Sequence, residues 1–384
     1  VTSPRVCLLV PAASDGPAVP VPWDVLLAAA RLRADGCDVT VWDERLAAFP
    51  PAASVPDLLV VFTAVGTSWP VDLSPVRAAV DRARAWFPGV RVLAVGPHGS
   101  RLPGSTLLEL TADHVAVGEA ASAAVRATRD LASGAAVPVL YGGMPRPLPP
   151  VLVVGNRPPP YRPLECWPPP AHDLVPLCRY TARTVVDGVP RLVPAGAARM
   201  ADGPGRVLAS LAAQRAAGLG HVVFLDRVFG ADGDPGGWLR GRGVEWTSRT
   251  RADVVLRSDV RSWAAAGCRT VWLDAGPRTR EAAARLSGAG ITPCVSVLVG
   301  APGGTRVPDP PAWFAPVRFV LRPGTAAYDR LAPGLGGGTA PVTWRGVQDV
   351  NLRYRQRHPA DLDELERGLA ALPRLLPTGC EVPC

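Results

Sequence analysis

Apolar residues along the chain fall into short dense runs separated by longer stretches of helical periodicity. RVCLLV (5–10), DVTVWD (38–43), DLLVVFT (57–63), RVLAV (91–95) and DHVAV (113–117) have the β-branched, two-sided character of strands buried in a parallel sheet. Between them, WDVLLAAARLRAD (23–35), SPVRAAVDRARAWF (74–87) and EAASAAVRATRDLAS (119–133) repeat apolar positions three and four residues apart, as amphipathic helices do. Strand and helix alternate throughout residues 1–140, which predicts a doubly wound, Rossmann-like α/β domain. Ligands of such a domain sit in loops at the carboxyl ends of its strands.

The pattern stops at 141–176, where GGMPRPLPP and NRPPPYRPLECWPPP predict a proline-rich linker. It resumes with a helix at 206–217, strand 221–226, helix 257–266, strand 269–274, helix 278–287 and strands 291–299 and 317–322. Repeated strand–helix pairs over 177–345 suit an open, partial β/α barrel of TIM-like type, with working residues at the carboxyl ends of its strands. Residues 346–384 are expected to form a C-terminal helix over 361–376 and a tail, TGCEVPC.

Composition narrows the chemistry. The 384 residues suffice for two cores, and neither a bilayer-length apolar run nor a leader is evident, so a cytoplasmic protein without a membrane partner is expected. The net charge of +8 comes entirely from dispersed arginine, which makes no stripe for nucleic acid. Lysine is absent, so Schiff-base chemistry is excluded and GAPGGTR (300–306) is no phosphate-binding P-loop. The eight cysteines include no CxxC pair, which argues against a zinc ribbon.

Three loops of the first domain carry a more specific pattern. FTAVGTSW (62–69), VGPHGSRLP (95–103) and VGEA (117–120), with VPVPWDVLLAAARLRADGCDVTVWD (19–43), resemble the cobalamin-binding domain of the B12-dependent radical S-adenosylmethionine family. The resemblance implies that Gly66, Thr67, Ser68 and Trp69 lie near the lower face of the corrin. It also implies that Gly96, Pro97, His98, Gly118 and Glu119 form cofactor-binding turns, where glycine lets backbone approach the corrin amides. The Asp-x-His-x-x-Gly pattern that donates a histidine to cobalt is missing, and His98 and His114 do not restore it. Cobalamin is therefore expected base-off, without a histidine ligand.

The second domain resembles the barrel of the same family. GLGHVVFLDRVFG (218–230), VEWTSRTRADVV (244–255), AAGCRTVWLDAGP (265–277), GITPCVSVLVGAPGGT (290–305) and RPGTAAY (322–328) follow its segment order. The resemblance implies that Asp226, Arg251, Gly300 and Thr305 contact S-adenosylmethionine, and that Arg183, Trp246, Arg251 and Asp274 line an interior suited to an anionic or aromatic ligand. The [4Fe–4S] motif belongs in 180–200, yet GVPRLVPAG (188–196) aligns Val189, Val193 and Gly196 with the three cysteines. A cluster needs thiolates on three irons and leaves the fourth for the amino and carboxylate groups of the methionine moiety, so it is expected to be absent. Arg227 and Pro277 also replace acidic residues of the family pattern.

The expected function is B12-dependent methyl transfer without a cluster, or partnership with an active radical S-adenosylmethionine protein. Two alternatives stand beside it. One is a non-catalytic scaffold; the other is an active radical enzyme whose cluster has moved to Cys380 and Cys384 with Cys166 or Cys178.

Overall fold

The structure, a computed structural model, describes residues 3–12, 18–47, 55–64, 72–118, 120–132, 140–141, 167–186, 189–226, 228–231, 233–300, 313–336 and 342–358. Two compact units divide the chain: Val1–Ser14, Pro22–Val175 and Leu321–Arg353 in the first, Asp15–Val21, Pro176–Val320 and Tyr354–Cys384 in the second. The gaps in the described residues take in most of the proline-rich linker, the expected helix at 361–376, and Cys166, Cys380 and Cys384.

The first unit is built on six parallel strands, β1 (Arg5–Val10), β2 (Asp38–Asp43), β3 (Leu58–Phe62), β4 (Arg91–Val95), β5 (His114–Ala116) and β6 (Leu140–Tyr141). Their order is β2-β1-β3-β4-β5-β6, so the direction of winding reverses between β1 and β3. That reversal puts helices on both faces and opens a crevice at the carboxyl edge. The helices are α1 (Trp23–Ala34), α2 (Ser74–Trp86), α3 (Pro97–Arg101), α4 (Pro103–Leu110) and α5 (Ala120–Ala132). Val25, Leu27, Ala28 and Leu32 of α1 join Leu8, Val60 and Leu93 of the sheet in the core.

The second unit winds differently. The antiparallel hairpin of β7 (Thr181–Val186) and β8 (Val189–Ala198) opens it, and β8 then turns from β7 to pair in parallel with β9 (His221–Phe224). Next come β10 (Glu245–Thr250), β11 (Cys268–Asp274), β12 (Thr292–Val299) and β13 (Trp313–Arg318), each beside its predecessor. Winding never reverses, and right-handed crossovers then place every helix on one face. These helices are α6 (Pro204–Ala216), α7 (Gly236–Leu239), α8 (Ala252–Arg257), α9 (Val260–Ala265) and α10 (Thr279–Gly288). The opposite, concave face is left for the hairpin and for ligand.

Strand parity sorts the side chains between these faces. Trp246, expected inside the barrel, is instead fully buried on the helix side, with ring centroids 5.0 Å from Phe229, 5.7 Å from Phe224 and 6.3 Å from Trp263. Its Nε1 donates to the Ala266 carbonyl at 3.0 Å, which no concave residue could offer. The helix expected at 257–266 starts later, as α9 at Val260, because Asp259 caps it through the N–H groups of Arg261 and Ser262 at 3.1 and 3.3 Å, and Arg257 instead ends the separate α8. The last strand lies at Trp313–Arg318 rather than 317–322.

Leu321–Arg353, read from sequence as the end of the barrel and the start of the tail, groups with the first unit. It carries α11 (Ala326–Leu331) and the start of α12 (Trp344–Arg357). The Trp344 backbone N–H donates to Ser105 Oγ at 2.9 Å and its Nε1 to Thr106 Oγ1 at 2.8 Å. Asn351 closes the segment, donating to the Leu321 carbonyl at 2.9 Å and accepting from its N–H at 2.8 Å.

Trp246→Ala removes the centre of the aromatic layer and strands the Ala266 carbonyl. It is expected to cost about 3–5 kcal/mol of stability, read by urea denaturation, with Trp246→Phe costing clearly less.

Candidate functional site

In the first unit, the loops after β3, β4 and β5 converge on the carboxyl edge. Thr63 donates its N–H and Oγ1 to the Val95 carbonyl at 2.9 and 3.1 Å, pinning the ends of β3 and β4 together. Gly96 follows with φ of +121°, and a Cβ there would stand 2.7 Å from Thr63 Oγ1. Conformation and space thus both require glycine.

Ser100 is the residue that sequence reading missed. Its Oγ lies 3.0 Å from the Gly96 carbonyl and 3.2 Å from the Gly118 carbonyl, and accepts from the Gly118 N–H at 3.0 Å. One hydroxyl therefore staples the turn after β4 to the turn after β5. Gly118 has φ of +112°, and among the described residues no atom lies within 4 Å of the place its Cβ would occupy. A cofactor that needs backbone close by fits such a cradle.

His98 behaves otherwise. Pro97 starts α3, and the next residue turns inward: the imidazole is fully buried, edge-on to Trp344 at 4.8 Å. Its side chain belongs to the core. Gly66, Thr67, Ser68, Trp69 and Glu119 lie outside the described residues.

In the second unit, parallel register builds the concave face in layers. Thr247, Thr270 and Thr292 form the lowest layer, and Thr184 of the hairpin meets Thr270 with 2.9 Å between their hydroxyl oxygens. Arg249, Trp272, Cys294 and Trp313 form the next. Val185 packs on Trp272, Cys294 and Ala315, so the hairpin covers the lower part of the face. Asp274 and Ser296 stand one step nearer the carboxyl edge, and Arg249 reaches up to form an ion pair with Asp274.

The residues expected to hold S-adenosylmethionine are dispersed along that edge. Asp226 follows β9, and its carboxylate accepts from the Met200 N–H at 2.7 Å. Arg251 is exposed at the start of α8, tied to Asp253 at 2.8 Å. Gly300 has φ of +81°, and its carbonyl accepts from the Tyr354 hydroxyl at 2.8 Å. Arg183 is half-buried in β7, and Thr305 is outside the described residues.

The cluster alignment requires correction. Val189, Val193 and Gly196 were expected in a loop before the first barrel helix, but all three belong to the single strand β8. Side chains alternate along a strand, so 189 and 193 share a face while 196 takes the other. Residues 189 and 196 are also separated by about 23 Å of extended chain. The connection from β8 to α6 is only Arg199–Gly203, with sequence RMADG, and it contains no thiol. Among the described residues, no group of three metal-ligating side chains occurs. Buried Cys7 and Cys268 are poor thiolates, since burial pushes the first up to about 11 and the second well above its ordinary value.

No family model matches the chain, and no curated protein sequence matches it. Solved structures do. The radical S-adenosylmethionine methyltransferase TsrM from Kitasatospora setae, with cobalamin and a [4Fe–4S] cluster bound, matches with a TM-score of 0.60 at 17% identity over 88% of this chain and 76% of that one. TsrM with tryptophan substrate and the analogue aza-SAM bound matches at 0.54 and 17% identity, over 78% of this chain and 68% of that one. The cobalamin-dependent S-adenosylmethionine radical enzyme OxsB, with aqua-cobalamin bound, matches at 0.54 and 11% identity, covering 94% of this chain and 56% of OxsB. The chain therefore has the α/β fold of cobalamin-dependent radical S-adenosylmethionine enzymes, and the likeness is one of fold.

Two predictions follow from this geometry. Restoring cysteines as Val189→Cys, Val193→Cys and Gly196→Cys together is expected to yield no four-iron cluster on anaerobic reconstitution, by iron count and visible spectrum. Gly196→Cys is further expected to destabilise the fold, because a Cβ there would fall 1.5 Å from Gln214 Oε1. The second concerns His221, buried at the base of the concave face with its Nε2 2.9 Å from Thr247 Oγ1. Burial lowers its pKa from 6.5 to about 4. The unfolded chain therefore binds the proton first, so stability is full above pH 6.5 and falls as the pH drops towards 4. That loss is about 3 kcal/mol by pH 4, and His221→Gln should flatten this part of the profile in urea melts.

Proposed function

We propose that the protein binds cobalamin at the carboxyl edge of its first unit, without a histidine ligand to cobalt and without a [4Fe–4S] cluster. Its reaction is polar methyl transfer, with S-adenosylmethionine as the methyl source. The observation that carries this reading is the stapled pair of turns: Ser100 holds Gly96 and Gly118 together, and no atom of the described residues stands where a Gly118 Cβ would be. That the fold is shared with cobalamin-bound TsrM and OxsB supports the same reading.

Cobalamin, when bound, supplies a cobalt centre able to accept and donate a methyl group. The chain's own part is to hold and shape. Gly96 and Gly118 bring backbone to the cofactor, Ser100 keeps the two turns from drifting, and His98 is withdrawn against Trp344 rather than offered as a ligand. The cluster does not fit the described residues of the second unit, among which no group of three metal-ligating side chains occurs. Its expected connection is five residues long, lacks thiols and is tethered to Asp226, so no step is assigned to reductive cleavage of S-adenosylmethionine.

The test is anaerobic reconstitution of the full chain with hydroxocobalamin, iron and sulfide, followed by metal counts. Cobalt near one per chain with iron near zero is expected, and Gly118→Val should weaken hydroxocobalamin binding at least about tenfold. Turnover should release S-adenosylhomocysteine and no 5′-deoxyadenosine. Iron near four per chain would overturn the cluster-less reading. Absence of both metals would leave a non-catalytic scaffold or a partner of an active enzyme.

A further inference from the structure

Above the Trp272 layer, the concave face presents a compact set of groups with opposite demands. Arg249 and Asp274 form an ion pair in which the arginine side chain is 19% exposed and the aspartate 58% exposed, so the carboxylate is open to further contact. Ser296 is the register partner of Asp274 on the next strand. It is 8% exposed, and its buried Oγ has no hydrogen-bond partner among the described residues. Trp272, 1% exposed and one step below, has a buried Nε1–H that likewise lacks an acceptor there.

Buried polar groups are nearly always satisfied in folded proteins, so two adjacent exceptions on one face indicate a missing partner. An indole N–H only donates, a serine hydroxyl does either, and a guanidinium only donates. Three donor-bearing side chains and one exposed carboxylate therefore share neighbouring register positions on this face. A simple anion would meet Asp274 and a simple cation would meet Arg249. A ligand with a carboxylate and an ammonium on neighbouring atoms satisfies both charges and gives the orphaned donors an acceptor.

We propose that Arg249, Trp272, Asp274 and Ser296 bind an α-amino acid group, with the carboxylate towards the arginine, serine and indole and the ammonium towards Asp274. The source depends on the proposed function. Without a cluster, the amino and carboxylate groups of S-adenosylmethionine need protein partners, and this layer supplies them; a free amino acid substrate presents the same chemistry.

The experiment uses calorimetry on the full chain with S-adenosylmethionine, S-adenosylhomocysteine, methylthioadenosine and a panel of free L-amino acids. Wild type, Asp274→Asn and Ser296→Ala are compared. Asp274 is half-exposed, and Ser296→Ala removes one oxygen, so both variants should fold. Ligands carrying the amino acid group should bind wild type and weaken about tenfold or more in each variant. Methylthioadenosine, which lacks that group, should be indifferent to both changes. Competition between S-adenosylhomocysteine and the panel would assign the site to the methionine moiety. A panel member that binds beside saturating S-adenosylhomocysteine, with loss in the variants, would assign it to a substrate. Unchanged affinity in both variants, or no binding of any amino-acid-bearing probe to wild type, would overturn the proposal. Hydroxocobalamin titration of the same samples separates the two readings, since cobalamin binding with no amino acid site would remove this inference alone.

Discussion

The contact between Gly196 and Gln214 sets the geometry of the second unit. Gln214 is fully buried in α6, and its Nε2 donates to the Ala197 carbonyl at 2.6 Å and to Ser210 Oγ at 2.8 Å. It occupies space that only a residue without a Cβ leaves free. Helix and strand are thereby held face to face at the end of β8, and the chain between them has five residues in which to turn. That span, Arg199–Gly203, contains no cysteine.

A single rule, the alternation of side chains along a strand, then distributes the chemistry. On the helix side of the barrel it gathers Phe224, Phe229, Trp246 and Trp263 into a dry aromatic layer. On the concave side it stacks threonines, then Arg249 and Trp272, then Asp274 and Ser296. The first set contributes area removed from water, each aromatic ring being worth several kcal/mol. The second buries the Trp272 indole against Val185, Cys294 and Ala315 and leaves hydrogen-bonding capacity unspent. Because the winding of this sheet never reverses, that capacity stays on the face opposite the helices.

The two units reach a ligand edge by different routes. In the first, reversal of winding between β1 and β3 opens a crevice, and a serine bridges two glycine turns beside it. In the second, the hairpin covers the lower part of the face through Thr184 and Val185 while the carboxyl edge carries the polar groups. Both place function where strands end and backbone carbonyls and N–H groups must find partners outside the sheet.

The sequence by itself determined β1 to β5 and the helices α1, α2 and α5 of the first unit nearly to the residue, because buried parallel strands and their covering helices announce themselves in local periodicity, whereas the short α3 and α4 fell in a segment read as loop. It also determined that Gly96 and Gly118 are turn residues. Tertiary structure decided the rest. His98 was expected in a cofactor-binding turn, and only the packing of Trp344, more than two hundred residues away, shows its side chain turned into the core. Trp246 looked interior because a strand's composition does not reveal which face meets helices. Ser100 and Ser296 were invisible because a serine's role depends wholly on what lies within hydrogen-bond reach. The alignment of Val189, Val193 and Gly196 failed for a related reason: spacing along a chain says nothing of convergence until pairing with β7 and β9 shows the segment extended. Local periodicity is written in neighbouring residues, whereas the site is made of contacts between distant ones.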